Sequence, residues 1–417
     1  MDKIVIEGGN RLIGEIAISG AKNSALPLMA AALLNDGCST ITNIPNLKDI
    51  DTFKRLLEHL GCHIDDSNRS VKINVSDIKT PEAPYELVKT MRASVLILGP
   101  LVTHFKRARV SLPGGCAIGA RPINLHLMGL ERMGAKIKIE HGYVEVSAER
   151  LKGADIYFDV PTVTGTENLM MAACLADGIT VIENAAKEPE VLELATALNK
   201  MGGCISGAGT EKIRIEGVRK LKPIEYAVMP DRIEAGTYMI ASAATRGNLL
   251  LKNCPIDLLE ALSIKLKEVG AEIIIERNNT RVIGNNPTRS VDIKTSPYPG
   301  FPTDLQAQMM SMMCISSGLS VFTETIFENR FMHVSELKRM GANIQVDGRT
   351  AIVKGMPFLS GAPVMATDLR ASASLLIAAL VGEGETEISR VYHLDRGYES
   401  IEEKLAGVGA KIKRVRK

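Results

Sequence analysis

The sequence has little net charge, because 50 Lys and Arg residues nearly balance 48 Asp and Glu residues and leave a formal charge of +2. Such a balance creates no overall field that attracts nucleic acid or an acidic membrane surface. We therefore expect neither of them as a partner. Any anion that the protein binds must be held by local clusters of Lys and Arg.

Long apolar runs are also missing from the sequence. No stretch of about 18 apolar residues occurs, so no transmembrane helix is expected. Residues 1–7 read as an alternating strand and lack the apolar stretch of a signal peptide. The seven cysteines are scattered without a C-x-x-C pair, which argues against a disulfide framework or a structural zinc site. These absences predict a cytoplasmic globular protein.

Motifs for nucleotide hydrolysis and for metal binding are absent as well. The sequence has no G-x-x-x-x-G-K-[ST] loop, and its seven His residues show no metal-ligand spacing. Gly207-Ala208-Gly209 imitates part of a dinucleotide-binding loop, but no helix pattern follows it, so we interpret it as a hairpin turn. The methionines between Met309 and Met313 are interpreted as helix packing. We therefore expect a reaction that uses no metal or other cofactor.

What the sequence does contain is a sixfold internal repeat. In each copy an amphipathic stretch ends in glycine and is followed by alternating polar and apolar residues, at intervals of 68 to 73 residues. Each of these marker glycines stands where a helix needs a left-handed C-terminal residue. The six marker glycines are Gly61, Gly134, Gly202, Gly270, Gly341 and Gly409.

Each repeat also contains a first helix that is apolar on nearly all sides, such as residues 25–34 or 372–381. A short strand, the amphipathic helix and two further strands follow it. A helix of this kind is typical of a buried position, so we expect helices enclosed by sheets. Six units predict an α/β fold of two domains with three βαβαββ-like units each, with the boundary near residues 229–231. Residues 1–21 precede the first unit and are expected to pair with the last one.

Polar residues recur at two places in the repeat. One set lies just ahead of the first helix, where free N–H groups and the helix dipole favour an anion. A second set lies thirteen residues before the marker glycine. A lone Arg or Lys is more often a surface ion pair, but the coincidence of several cations at repeat-equivalent helix starts predicts an anion site. The first set contains Lys22, Asn23, Arg92, Gly165, Thr166, Asp231, Arg232, Asp304 and Arg370, and the second contains Lys48, Arg121 and Arg396.

Residues 113–122 form a loop with three glycines, two prolines and one thiol, that of Cys116. Such a composition excludes a helix or strand interior, so we expect the thiol to be accessible. Arg121 lies five residues further on, and nearby positive charge favours a reactive thiolate. We interpret Cys116 as a functional residue, whereas Cys174 and Cys314 lie in apolar helix patterns and are expected to be core residues.

Six motifs, in order along the whole chain, carry a resemblance to a known family. They are Gly20-Ala21-Lys22-Asn23, residues 113–122, Phe301-Pro302-Thr303-Asp304, Phe327-Glu328-Asn329-Arg330-Phe331, Asp368-Leu369-Arg370-Ala371-Ser372 and Asp395-Arg396-Gly397-Tyr398. Together they resemble the UDP-N-acetylglucosamine enolpyruvyl transferase family. The resemblance implies two inside-out α/β domains, at residues 22–229 and at residues 1–21 together with 230–417, and an active-site cleft between them.

The resemblance also implies a reaction. The 3′-hydroxyl of UDP-N-acetylglucosamine would add to C2 of phosphoenolpyruvate while C3 is protonated, and phosphate would then leave the tetrahedral intermediate. This is the first committed step of peptidoglycan precursor synthesis. Both substrates are small molecules, and we expect the enzyme to be a monomer.

The same resemblance implies roles for individual residues by their position. Cys116 would donate the proton to C3, and Asp304 would act as the base near the 3′-hydroxyl. The phosphate and carboxylate of phosphoenolpyruvate would be held by Lys22, Arg121 and Arg396. The UDP-sugar site would be lined by Asn23, Arg92, Pro122, Ile123, Asn124, Leu125, Val163, Asp304 and Ile326, and Arg330 and Arg370 would support the closed cleft. Residues 160–164 lack a Lys that some members carry there for the diphosphate.

Other functions remain open at this point. The related enzymes that act on shikimate 3-phosphate resemble this chain in fold, but they lack the cysteine loop and open their first repeat with a Ser-Lys-Ser type motif. A non-catalytic nucleotide-sugar binding protein on the same scaffold should have lost Lys22, Cys116, Asp304 or Arg396, and this sequence has all four. A solenoid scaffold would explain the repeats but not the aligned cations.

Overall fold

The computed structural model describes residues 2–75, 78–89, 91–112, 123–285 and 288–416. The chain forms two compact units. Of the described residues, unit 1 contains 2–19 and 230–416, and unit 2 contains 20–112 and 123–229. Each unit has its own core of buried aliphatic side chains, methionines and a few aromatic rings.

The described residues form thirteen α-helices and twenty-four strands. The helices are α1 (Lys22–Ala31), α2 (Lys48–Leu60), α3 (Tyr85–Val88), α4 (Leu98–Phe105), α5 (Asn124–Arg132), α6 (Val163–Ala173), α7 (Pro189–Lys200), α8 (Arg232–Ala244), α9 (Glu260–Val269), α10 (Gln306–Met313), α11 (Val334–Arg339), α12 (Leu369–Val381) and α13 (Ile401–Ala406). Short 3₁₀ helices add to them, among them Arg92–Ile97, Thr303–Leu305 and Val391–Arg396.

The strands are short, mostly of five residues. They are β1 (Lys3–Glu7), β2 (Ile13–Ala17), β3 (Cys38–Thr42), β4 (His63–Ser67), β5 (Ser70–Asn74), β6 (Glu82–Ala83), β7 (Arg107–Ser111), β8 (Lys136–Glu140), β9 (Tyr143–Ser147), β10 (Asp155–Tyr157), β11 (Ile179–Glu183), β12 (Cys204–Ser206), β13 (Lys212–Glu216), β14 (Glu225–Ala227), β15 (Asn248–Lys252), β16 (Glu272–Glu276), β17 (Asn279–Ile283), β18 (Ile293–Lys294), β19 (Leu319–Thr323), β20 (Asn343–Asp347), β21 (Thr350–Lys354), β22 (Pro363–Met365), β23 (Glu385–Ser389) and β24 (Lys411–Val415).

The strands of the described residues build six four-stranded sheets of one design. In unit 2 the orders are β14-β3-β5-β4, β6-β7-β9-β8 and β10-β11-β13-β12, and in unit 1 they are β2-β15-β17-β16, β18-β19-β21-β20 and β22-β23-β1-β24. The first strand in each order is parallel to the second, and the other pairs are antiparallel. A parallel pair needs a crossover connection between its strands. Three of the sheets are built from consecutive strands of one repeat, and the other three take one strand, β14, β2 or β1, from elsewhere in the same unit. The predicted α/β repeat fold is confirmed.

The first helix of each repeat lies inside its unit. In unit 1, α8, α10 and α12 pack against one another, and every residue of α8 and α10 is buried. In unit 2, α4 packs against α6, and α1 packs against the 3₁₀ helix Arg92–Ile97 that directly precedes α4. Because these helices are covered on all sides, their sequences show no polar face, which is the feature that predicted their burial.

The six marker glycines end their helices as predicted. Their φ angles lie between 90° and 115°, in the left-handed region that side chains with a Cβ rarely adopt. The N–H of Gly61, for example, donates to Glu58 O at 3.0 Å and closes the last turn of α2. The repeat read from the sequence is therefore a repeat of helix ends.

The opening segment differs in part from its prediction. Strand β1 pairs with β23 and β24 of the last repeat, as expected. Residues 13–17, however, form the separate strand β2, which is parallel to β15 of the fourth repeat. The segment closes two sheets of unit 1 because Gly9, with a φ of 85°, lies between its two strands.

Smaller predictions can be compared in the same way. Gly207-Ala208-Gly209 lies in the turn between the antiparallel strands β12 and β13, so the predicted hairpin turn is confirmed. The methionines of α10 are buried, and the side chains of Cys174 and Cys314 are fully buried. Burial raises the pKa of both thiols to about 12, so neither is a reactive thiolate.

Candidate functional site

The densest cluster of buried charge in unit 1 surrounds Asp304, in the 3₁₀ turn that precedes α10. Arg330 Nη2 donates to Asp304 Oδ1 at 2.8 Å. Arg370 donates to Asp304 Oδ2 twice, from Nε at 3.1 Å and from Nη2 at 2.9 Å. Two guanidinium groups therefore hold both carboxylate oxygens, and such charge-assisted contacts are the strong ones in proteins.

Arg370 and Arg330 are each only 4% exposed. Burial by itself would lower the pKa of Arg370, but the charge of Asp304, together with Tyr398 and Asp231, more than offsets that effect and the pKa is raised. The Arg370 guanidinium lies 5.4 Å from the Tyr398 ring centroid, and that of Arg330 lies 5.4 Å from the Phe327 ring. The aromatic rings add cation–π stabilisation to the two guanidinium groups.

A buried hydrogen-bond network fixes the backbone of the Asp304 turn from below. Gln308 Nε2 donates to Asp304 O at 2.9 Å and also contacts Thr237 Oγ1 and Tyr398 Oη at 3.2 Å each. Thr237 Oγ1 and Tyr398 Oη are 3.0 Å apart. The network ties α8, α10 and the segment after the last 3₁₀ helix to one turn, so Asp304 is held by its backbone as well as by its side chain.

The starts of α8 and α12 correct one expectation. Both were predicted to offer free N–H groups to an anion. Instead Asp231 accepts from the N–H groups of Ile233 and Glu234 at 2.7 and 3.0 Å, and Asp368 caps α12 in the same way. Because side-chain caps satisfy these donors, the two helix ends are not open anion sites. Arg232 lies beside the Tyr298 ring at 5.7 Å.

Two further predicted residues lie in unit 1. Ile326 is half-buried in the loop after β19, and its N–H donates to Glu324 Oε1 at 2.8 Å. Arg396 is half-buried at the end of the 3₁₀ helix Val391–Arg396. The structure therefore brings Asp304, Arg330 and Arg370 into direct contact, and it places Ile326 and Arg396 in two other segments of the same unit.

In unit 2, Lys22 is the first residue of helix α1, although it was predicted to lie just ahead of that helix. Lys22 Nζ forms a buried ion pair with Asp49 Oδ2 at 3.0 Å, and the start of α1 has no side-chain cap. Asn23 is exposed on the first turn. Asp49 is the second residue of α2, directly after Lys48. The pair thus joins the first turns of the two helices of the first repeat.

Arg92 opens a 3₁₀ helix and lies near His126, which burial and the Arg92 charge together give a pKa of about 3. The neutral His126 ring contacts Asn168 Nδ2 at 2.9 Å and Thr164 Oγ1 at 3.3 Å. Asn168 Oδ1 accepts from Gly99 N at 2.6 Å. These bonds tie together α4, α5 and α6.

The remaining predicted residues of unit 2 lie beside that network. Ile123 precedes α5, Asn124 and Leu125 form its first turn, and Val163 is the first residue of α6. The Thr162 hydroxyl accepts from Gly165 N at 3.2 Å and caps α6, and the buried Thr166 hydroxyl accepts from Ala186 N at 3.1 Å. Cys116, Arg121 and Pro122 lie outside the described residues.

Sequence reasoning missed Asp49, His126 and Asn168, which fix predicted residues in unit 2. Asp49 adjoins the aligned cation Lys48, and His126 directly follows the predicted segment 122–125, so both carried a positional signal. Asn168 lies within an apolar helix, where a buried amide is itself a signal because it needs partners.

The described part of the chain has no side-chain cluster suited to a metal ion and no membrane-spanning helix, and it has a cavity apart from the predicted site residues. No three His, Cys, Asp or Glu side chains there lie close enough to hold a metal ion. No helix there is long and apolar enough to cross a membrane. A cavity of about 500 Å³ in unit 1 lies between α9, β18 and β19 and is lined by residues such as Lys265, Asp292 and Phe301. None of the predicted site residues lines it.

Comparison with known proteins adds sequence and fold relatives. The family model described as EPSP synthase (3-phosphoshikimate 1-carboxyvinyltransferase) matches residues 6–405. UDP-N-acetylglucosamine 1-carboxyvinyltransferase of Desulfatibacillum aliphaticivorans is 58% identical over 416 residues, and that of Geobacter metallireducens is 59% identical over 416 residues. In both cases the match covers 100% of this chain and 100% of the relative.

Two solved structures share the fold. The enolpyruvyl transferase NikO from Streptomyces tendae has a TM-score of 0.89 and 25% identity, and the match covers 99% of each chain. EPSP synthase from Acinetobacter baumannii has a TM-score of 0.79 and 17% identity over 100% of each chain, which is a likeness of fold alone.

Proposed function

Because the chain belongs to the enolpyruvyl transferase family, we propose that it transfers the enolpyruvyl group of phosphoenolpyruvate to UDP-N-acetylglucosamine. The acceptor is the 3′-hydroxyl of the sugar, and phosphate is released. The observation that carries the proposal is the identity of 58–59% with UDP-N-acetylglucosamine 1-carboxyvinyltransferases over the full length of both chains.

The chemistry divides into an addition and an elimination. In the addition, the 3′-oxygen bonds to C2 of phosphoenolpyruvate, its proton goes to a base, and an acid protonates C3. In the elimination, a proton leaves C3 and the bond between C2 and the phosphate oxygen breaks. Both steps need an acid, a base and stabilisation of negative charge.

We assign the base to Asp304 and the acid to Cys116. The contacts of Asp304 support this assignment, since Arg330 and Arg370 fix the direction of its carboxylate. A base held in this way needs no reorientation when the hydroxyl arrives. Arg330 and Arg370 thereby act as supports of the base.

We assign the phosphate and carboxylate of phosphoenolpyruvate to Lys22, Arg121 and Arg396. The buried pair of Lys22 with Asp49 supports this role, because Asp49 fixes the ammonium group at the start of α1. Asn23, Arg92, residues 122–125, Val163, Asp304 and Ile326 would line the UDP-sugar site. The network of His126 and Asn168 would fix the helix starts that carry several of them.

We also propose that each unit of three repeats is a domain, with boundaries near residues 21–22 and 229–230. The enzyme would work as a monomer in the cytoplasm, where its product enters peptidoglycan precursor synthesis. Size-exclusion chromatography with light scattering of the purified chain measures the oligomeric state.

The test is release of phosphate from phosphoenolpyruvate by the purified protein, with UDP-N-acetylglucosamine, with shikimate 3-phosphate or with neither. We expect release only with the UDP-sugar. Release only with shikimate 3-phosphate would move the chain to the other branch of the family. A folded protein that binds the UDP-sugar but releases no phosphate would be a non-catalytic member.

A further inference from the structure

Glu324 occupies a repeat-equivalent position at which it departs from the other repeats. In each sheet a five-residue strand pairs with the parallel edge strand, and the repeat-equivalent position is the residue directly after that five-residue strand. These residues are Asn43, Leu112, Asn184, Asn253, Glu324 and Arg390. Four of them, the three asparagines and Arg390, have φ angles between 53° and 57°. Glu324 and Leu112 are not among the residues with a positive φ, and of these two only Glu324 has a polar side chain.

The asparagines show what the fold requires at this position. Asn43 Nδ2 donates to Val228 O at 2.7 Å, and Asn184 Nδ2 donates to Phe158 O at 2.7 Å. Each acceptor directly follows the parallel edge strand of the same sheet, β14 or β10. A short amide side chain therefore suffices to tie the ends of the two strands together.

Glu324 makes this strand tie in a different way. The residue after the edge strand β18 is Thr295, and its hydroxyl donates to Glu324 Oε1 at 2.9 Å. The donor and the acceptor have changed sides relative to the asparagine repeats. This one contact would not require a carboxylate, because the amide of an Asn makes the corresponding contact at Asn43 and Asn184.

Three further donors bind the Glu324 carboxylate, and none of them belongs to the edge strand or to the residue after it. The N–H groups of Ile326 and Phe327 donate to Glu324 Oε1 at 2.8 and 3.2 Å. The hydroxyl of Thr303 donates to Glu324 Oε2 at 2.9 Å. Glu324 is only 1% exposed, and burying a carboxyl group is costly unless donors satisfy it. Four donors match the acceptor capacity of a carboxylate.

The two segments that these donors occupy carry the predicted site of unit 1. Thr303 directly precedes Asp304 in the same 3₁₀ turn. Ile326 is a predicted UDP-sugar contact, and the Phe327 ring lies against the Arg330 guanidinium that binds Asp304. One buried carboxylate thus fixes the turn of the base and the loop beside it. A local departure from a repeated structural rule is expected at functional positions.

We propose that Glu324 is a positioning residue that sets the distance between Asp304 and the bound UDP-sugar by joining the 303–304 turn to the 326–327 loop. The inference rests on the proposed function, since it concerns the same acceptor substrate. Glu324 touches no reacting atom in this account. Its effect on the reaction passes through Thr303 on one side and through the N–H groups of Ile326 and Phe327 on the other.

The first variant to test is Glu324→Asn, which installs the residue that three other repeats have here and that ties the strand ends together in two of them, at Asn43 and Asn184. It should keep the strand tie and the melting temperature while losing the contact with Thr303. A misplacement of about 1 Å can lower a rate by about 100-fold. We expect kcat to fall by about 10- to 100-fold and KM for UDP-N-acetylglucosamine to rise by about 10-fold, with KM for phosphoenolpyruvate within about 2-fold.

Thr303 allows the two sides of the link to be separated. Thr303→Val removes the hydroxyl with little change in shape, so it should lower kcat by about 10-fold and leave both KM values within about 2-fold. Thr303→Ser restores the hydroxyl and should restore kcat. A matched control is Thr386→Val, which removes a buried hydroxyl that has no partner among the described residues of unit 1.

Glu336→Ala controls for the loss of a carboxylate that accepts a backbone N–H elsewhere in unit 1, that of Met365 at 2.9 Å. It should lower the melting temperature and leave both KM values unchanged. Wild-type kinetics in a folded Glu324→Asn variant, or equal changes in both KM values, would overturn the positioning role. A wild-type protein without turnover would instead contradict the proposed function, and calorimetric binding of the UDP-sugar to wild type and Glu324→Asn would then still measure the positioning effect.

Discussion

Unit 1 surrounds the carboxylate of Asp304 with two guanidinium groups, whereas unit 2 buries Glu167 and Glu193 without an ion pair among the described residues. The consequences are opposite. Burial raises the pKa of Glu193 to about 7 and raises that of Glu167 well above its ordinary value, with Glu190 and Glu188 adding to the shift of Glu167. Asp304 instead is partly exposed, with 27% of its side chain accessible, and has three charge-assisted contacts with guanidinium groups.

The comparison indicates two different roles for carboxyl groups in this protein. A carboxyl held by cations is fixed in direction and suited to accept a proton at a defined point. A carboxyl buried without cations and with few hydrogen-bond donors, such as that of Glu193, favours its neutral form and serves packing and hydrogen bonding. Burial alone therefore does not identify a catalytic carboxylate in this fold, and its charged neighbours decide.

The largest effect is expected when the Asp304 carboxylate, which binds two guanidinium groups, is replaced. Asp304→Asn should lower kcat by about 10²- to 10⁴-fold, because the base is lost. It should also lower the free energy of unfolding by about 3 kcal/mol, because two buried guanidinium groups lose their counter-charge. Steady-state kinetics and urea unfolding measure the two effects. The control is Glu7→Gln, which changes an exposed pair with Lys411. An Asp304→Asn variant with wild-type kcat would contradict the role of Asp304 as the base.

Lys22→Ala should come next in size. It removes one charge-assisted contact with the anionic substrate, which is worth about 10- to 100-fold in KM for phosphoenolpyruvate. KM for UDP-N-acetylglucosamine should stay within a few-fold, and stability should fall less than in Asp304→Asn. Lys72→Ala, in the exposed pair with Asp65 of the same unit, should change neither KM. An equal rise in both KM values for Lys22→Ala would show that Lys22 does not belong to the phosphoenolpyruvate site.

Glu193→Gln sharpens the comparison through pH. The folded-state pKa of Glu193 is about 7, above its ordinary value of 4.5, so its stabilising contribution is complete below about pH 4.5 and is lost as pH rises through 7. Gln stays neutral and can still accept from Met229 N, which lies 2.8 Å from Glu193 Oε1. The variant should therefore gain about 1–3 kcal/mol over wild type between pH 5 and pH 8.

Urea unfolding at both pH values gives that difference, and Glu216→Gln, on an exposed strand position paired with Arg214, is the control. A constant difference between Glu193→Gln and wild type across this range would mean that Glu193 is ionised throughout. The contrast between Glu193 in unit 2 and Asp304 in unit 1 would then not hold.

The smallest effect is expected for Glu167→Gln. Burial, with Glu190 and Glu188 nearby, raises the pKa of Glu167 and favours its neutral form. Gln is neutral and of the same size, so stability should change by no more than about 0.5 kcal/mol at pH 7. A loss of several kcal/mol in thermal unfolding would reveal a counter-charge for Glu167 and remove the contrast with Asp304.

Much of the fold could be predicted because the repeat marks its own helix ends. A glycine with positive φ, such as Gly61 or Gly341, is a local requirement, and local requirements are visible in a sequence. The burial of α10 and α12 followed from their apolar composition for the same reason. The separate strand β2, which is parallel to β15, was not predicted because the opening segment was interpreted as a single strand.

The candidate site was less accessible to prediction. Arg330 and Arg370 are 26 and 66 residues from Asp304, and only the fold shows that they share one carboxylate. Asp231 and Asp368 lie at helix starts that were predicted to bind an anion, yet they are caps, because a side chain and an external anion compete for the same N–H groups. Glu324 carried a readable signal, since three other repeats have Asn at its position.

The most direct test of the proposed reaction follows the oxygen that bridges C2 and phosphorus in phosphoenolpyruvate. With this oxygen labelled as ¹⁸O, the protein is incubated with UDP-N-acetylglucosamine and the products are analysed by mass spectrometry. Addition and elimination break the bond between carbon and oxygen, so we predict that the label appears in phosphate and that the sugar carries an unlabelled enolpyruvyl ether. Label retained in pyruvate, with the sugar unchanged, would show hydrolysis at phosphorus and would contradict the proposed function.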